Sequence, residues 1–94
     1  MGARTLTLPG RLDATAAAPL RETLMSLRGA ALDLRADQVE RIGTPPLQVL
    51  LSAAATWRAD GCRLRLTDPS EALDEAVRTL GLALDDLTAE GPTG

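Results

Sequence analysis

Arg41-Ile42-Gly43-Thr44-Pro45-Pro46-Leu47-Gln48-Val49-Leu50-Leu51 is the stretch of this chain whose residue types invite chemistry. A polar loop turns into a helix there. Thr44 is the expected N-cap, Pro45 takes the first helical position, and an apolar stripe follows at once. A hydroxyl at that place sits where unpaired backbone N–H groups and the helix dipole favour negative charge. Thr44 therefore reads both as a plain cap and as a point of control, the candidate phosphorylation site of the chain. Gln48 and Ser52 follow at successive i+4 steps, so they either extend a polar docking face from Thr44 or form ordinary solvated surface. Val39, Arg41 and Gly43 in the preceding loop join the expected partner-binding set. Trp57, off the main stripe of the same helix, reads equally as an interface anchor and as a rim residue over the core.

Little else in the composition supports catalysis. The chain has no His, Tyr, Phe or Lys, one Cys (Cys62) and one Trp. Only carboxylates and a single thiol remain for acid–base work, which most often uses His. A His/Cys metal cluster is excluded by count, and no phosphate-binding glycine loop or HExxH pattern occurs. No catalytic residue, metal or cofactor is expected. The net charge of −3 and the scattered arginines argue against nucleic acid as a partner. No apolar run is long enough to span a membrane, so no membrane insertion is expected. Met1-Gly2-Ala3-Arg4 leads straight into a strand-like segment, with no leader expected, and Leu6 stands where a myristoylation motif needs Ser or Thr. The lone Cys fits a reducing, cytoplasmic setting.

These residues must be held by a fold of 94 residues, enough for one domain. Thr5-Leu6-Thr7-Leu8 alternates like a strand. After Pro9-Gly10, Asp13 or Thr15 should cap a helix carrying Leu20, Leu24 and Leu27, ended by Gly29. Ala30–Arg35 reads as a second strand with Leu32 and Leu34 on one face. Residues 36–43 form a loop, with Val39 and Ile42 tucked inward. In the helix after Thr44, Leu47, Leu50, Leu51, Ala54 and Arg58 follow the inward i, i+3, i+4, i+7 spacing, and Gly61 closes it. Cys62–Thr67 is a third strand, with Cys62, Leu64 and Leu66 facing the core. Asp68-Pro69-Ser70-Glu71 predicts a capping box on Asp68, ahead of a helix burying Leu73, Ala76, Val77 and Leu80. Leu82, Leu84 and Leu87 suggest a last strand or helical turn. One domain over 1–88 and a flexible tail over 89–94 follow.

Strands separated by helices require crossover connections and a mostly parallel sheet. Because the second and third strands are apolar on one face only, the helices should pack on that face alone. The expected class is α/β, with a small, mostly parallel sheet covered by helices on one side.

Gly10-Arg11-Leu12-Asp13, Leu32-Asp33-Leu34-Arg35-Ala36 and Gly43-Thr44-Pro45-Pro46-Leu47-Gln48-Val49-Leu50-Leu51 occur in the order and spacing of three motifs of the STAS domain, the family of bacterial anti-sigma factor antagonists. Asp60-Gly61 and Leu80-Gly81-Leu82 also fall where that family has similar dipeptides. The resemblance covers roughly residues 5–87. It implies a STAS-like fold and a non-catalytic, cytoplasmic protein-binding module. In the partner-switching branch, a kinase-like ATP-using partner binds the STAS protein and phosphorylates a Ser or Thr of its D-S/T-S/G-G motif, and the added charge can eject a complementary partner. Another branch, the cytoplasmic subunits of lipid-transport ABC complexes, keeps a Thr at the first hydroxyl position and would associate with an ABC ATPase and permease. The Thr44–Gly61 region also resembles small stand-alone STAS proteins that accompany chemotaxis clusters. This chain departs from the motif at three positions: Gly43 replaces the Asp, Pro45 the residue usually phosphorylated, and Pro46 the Gly. Only Thr44 retains a hydroxyl.

Overall fold

The structure is a computed structural model and describes residues 4–91. Three strands, β1 (Arg4–Thr7), β3 (Leu32–Arg35) and β5 (Leu64–Thr67), form a parallel sheet in the order β1-β3-β5. Helices α1 (Ala17–Ser26), α2 (Thr44–Ala59) and α3 (Glu71–Thr79) complete the alternation. Register sets Leu6 beside Leu34 and Leu34 beside Leu66, with Leu32 beside Leu64. That row of leucines faces the helices, and Leu32, Leu34 and Leu64 are fully buried. On the opposite face Asp33 is in register with Arg65 and meets it at 3.7 Å, while Arg35 pairs with Asp37 at 3.0 Å. The expected α/β architecture with one covered sheet face is what forms.

Two elements too short to show periodicity were missed by sequence reasoning. Residues 11–12 form β2 (Arg11–Leu12) and residues 41–42 form β4 (Arg41–Ile42), paired in parallel as a separate small sheet. Gly10 makes this possible: its carbonyl accepts the N–H groups of Glu40 (2.7 Å) and Arg41 (3.1 Å). A Cβ there would stand 3.2 Å from the Gln38 carbonyl oxygen, a close approach that only glycine makes without displacing its neighbour.

The caps differ from the sequence reading in instructive ways. Asp13 does cap, but it caps a 3-10 turn over Ala14–Ala16 that feeds α1: the Thr15 N–H donates to its carboxylate at 3.0 Å. Ser70, not Asp68, caps α3, its Oγ accepting from the Leu73 N–H at 3.2 Å. Asp68 takes the left-handed turn between strand and helix, with φ of 49°. A short polar side chain tolerates that conformation better than a branched one. Leu80 falls at the C-cap of α3 and is 44% exposed, so it leaves the buried stripe. Cys62 lies half-buried just ahead of β5.

The C-terminal segment turns back onto the sheet. After a 3-10 turn over Leu84–Leu87, Ala89 forms an antiparallel bridge with Leu64, at 2.8 and 3.0 Å. Ala89 is buried and covers the β5 edge, so its place is in the domain and not in a loose tail. Residues 92–94 lie outside the described residues.

At the other end, Arg28 holds Asp60 with two hydrogen bonds (2.8 and 3.1 Å), tying the C-terminal ends of α1 and α2 together. That bond lowers the Asp60 carboxyl below its ordinary value of 3.8, and the Thr15 hydroxyl does the same for Asp13. A lowered folded-state value stabilises the protein above the unfolded value and ceases to do so as pH falls through the folded one. Thermal unfolding between about pH 5 and pH 2 should therefore show a falling midpoint. The paired substitutions Asp13→Asn and Asp60→Asn should flatten that fall, and an unchanged slope would assign it to other carboxylates.

Candidate functional site

The start of α2 is fixed from three directions. β4 leads into it from the small sheet, the Gly43 N–H donates to the Leu12 carbonyl at 2.8 Å, and buried Pro46 and Leu47 anchor its first turn in the core. Gly43 is the N-cap: its backbone is extended and its carbonyl accepts the first helical bond, from the Leu47 N–H at 3.1 Å. Thr44 is thus the first residue inside the helix, Pro45 the second and Pro46 the third. The expectation that Thr44 caps α2 is corrected, and no side-chain hydrogen bond caps this helix. Strand pairing places Gly43 where the cap must be, and an extended glycine fills that position without a side chain.

Exposed Thr44 keeps its hydroxyl out of the capping. Gln48 and Ser52, also exposed, follow at one-turn spacing, and exposed Arg41 precedes them on β4. Each of these four side chains is exposed, and Thr44, Gln48 and Ser52 follow one another at one-turn spacing along α2. Gly43 is half-buried and contributes backbone only.

Two expected contact residues lie elsewhere. Val39 is 2% exposed and belongs to the core. Trp57 is fully buried, its indole Nε1–H donating to the Ala30 carbonyl at 2.8 Å. The buried row of α2 runs through Leu47, Leu50, Ala54 and Trp57, at steps of three and four, so Trp57 takes the inward place that the sequence reading extended to Arg58. Arg58 is exposed.

The electrostatics of the site also differ from a standard helix mouth. A helix start normally offers several unpaired N–H donors to an anion. Pro45 and Pro46 carry no N–H. The Gly43 and Leu47 N–H groups are already bonded, which leaves that of Thr44 as the one donor of the first turn these bonds do not use. The dipole remains and no acidic side chain occupies the first turn. The site therefore favours a negative charge weakly and cannot cradle a phosphate with backbone donors.

Sequence reasoning also missed the groove between α1 and α2 that adjoins this ridge. Gln48 and Ser52 form part of its α2 wall, and Arg21 and Met25 part of its α1 wall.

Parallel strands with crossover helices on one face, a short β2–β4 pairing and a polar ridge at the head of α2 describe a small α/β domain with one open sheet face. The chain belongs to the STAS domain family: the family described as "Mlab, STAS domain" matches residues 2–88. It is accordingly a module of the general anti-sigma factor antagonist type, from a family that is generally non-catalytic. No curated protein and no solved structure matches the chain significantly. Among the described residues no helix is long and apolar enough to cross a membrane.

Proposed function

We propose that this chain is a non-catalytic docking module of cytoplasmic partner-switching signalling in bacteria, with a kinase-like, ATP-using protein or a chemotaxis component as its partner. The observation that carries this reading is the Thr44 hydroxyl, exposed, unused by the helix cap, and heading a row of accessible polar side chains. Arg41, Thr44, Gln48 and Ser52 form the contact ridge. Thr44 is the point of control, since a phosphate there adds up to two negative charges at the centre of the contact.

A second reading has its own support. Pro45 has no hydroxyl at the position usually phosphorylated in the partner-switching branch, while the Thr kept at the first hydroxyl position matches the lipid-transport ABC branch. In that reading the same ridge docks constitutively on an ABC ATPase. Affinity purification from the native cell, with mass spectrometry of the partners and of Thr44, separates the two. A signalling ATPase together with phosphate on Thr44 supports the switch. An ABC ATPase and permease with unmodified Thr44 replaces it with the transporter role.

A further inference from the structure

We propose that the groove between α1 and α2 seats an amphipathic helix of the partner protein, and that a carboxylate on that helix pairs with Arg21. This rests on the docking reading above and names the surface and chemistry that would complete it.

The groove holds about 460 Å³ and runs from Pro45 at the head of α2 to Thr56. That is three helical turns, about 16 Å, the length of a short helix laid alongside. Buried Leu24 contributes to its floor, and half-buried Val49 and 37%-exposed Met25 to its walls. An unbranched thioether adapts its shape to an incoming apolar side chain. An apolar trough between two helices accepts the i, i+3/i+4, i+7 face of a third.

Charge identifies the occupant further. Arg21 is the sole charged residue lining the groove, and no ion pair engages it among the described residues. An apolar helix with an acid at the matching position satisfies it. A second copy does not suit: two identical grooves facing each other across a two-fold hold no acid to pair with Arg21. Because Pro45, Gln48 and Ser52 wall the groove, its occupant also lies beside the Thr44 ridge.

The test places a photo-crosslinking benzoylphenylalanine at Met25, or separately at Arg41, in the full chain within its native cell. Both positions are exposed, so the fold tolerates them. The expected result is an adduct from position 25 that maps to a partner segment with apolar residues at helical spacing and a nearby Asp or Glu. Arg21→Glu should then weaken that partner at least tenfold, and changing the mapped acid to Arg should restore binding. An adduct from position 41 with none from 25 overturns the groove assignment and leaves the docking reading standing. An adduct of the chain with itself from position 25 overturns it in favour of a second copy. No adduct from either position removes both readings.

Discussion

Trp57→Ala should cost about 3–5 kcal/mol of folding stability, the range for emptying a buried tryptophan site. A domain of this size has on the order of 5–15 kcal/mol in total, so the loss is a large share of it and the unfolding midpoint should fall clearly. Two losses combine. The cavity opens between α2 and the rest of a core that already includes Leu32, Leu50 and Leu64. The Ala30 carbonyl also loses the indole N–H that it accepts at 2.8 Å, just where the chain leaves α1 for β3. Trp57→Phe should fall between the wild type and Trp57→Ala, keeping a ring but not the donor. Urea unfolding followed by far-UV circular dichroism is the suitable measurement, because each variant removes the chain's one tryptophan. A Trp57→Ala midpoint equal to the wild type, together with lost partner binding, would return Trp57 to the surface role that its sequence position first allowed.

Trp57 illustrates which parts of this molecule a sequence makes legible. Alternating leucines in β3 and β5 give away the sheet and its covered face, because a two-residue period admits one solution. The helix period is softer. Leu47, Leu50 and Ala54 are compatible with either Trp57 or Arg58 as the next inward residue, and only the angle at which α2 meets the sheet decides. Caps are softer still, because neighbouring residues compete for one role. Thr44 and Gly43 both suit the head of α2, and Asp68 and Ser70 both suit that of α3. In each case strand connections settle the choice: β4 delivers Gly43 to the cap, and the Ser70 N–H is held by the Ala36 carbonyl at 3.1 Å, which pushes Asp68 into the turn. Pairings between distant two-residue segments, such as β2 with β4, leave no periodic trace at all. The shared exposure of Thr44, Gln48 and Ser52 was legible because it depends on spacing within one helix. The groove beside it was not, since half of its wall belongs to α1.

Thr44→Glu should raise folding stability while it lowers partner affinity, and the opposite signs are what make the substitution decisive. Thr44 occupies the first helical position and does not serve as the cap. Thr44→Ala should therefore change stability by no more than about 0.5 kcal/mol, as for an ordinary surface position. A carboxylate at the same place meets the positive end of the helix dipole, with no other acid in the first turn, and should stabilise by about 0.3–1 kcal/mol at low salt. In a complex, that carboxylate is pressed into a contact with few backbone donors to receive it, since Pro45 and Pro46 supply none. The expected loss of affinity is at least about tenfold, or 1.4 kcal/mol, for Thr44→Glu, and under about threefold for Thr44→Ala. Thermal unfolding and titration calorimetry with the captured partner read the two quantities on the same samples. Equal loss of stability in both variants would restore the capping role to Thr44. Unchanged affinity in Thr44→Glu would move the contact away from the head of α2, and the case for control at this hydroxyl would end there.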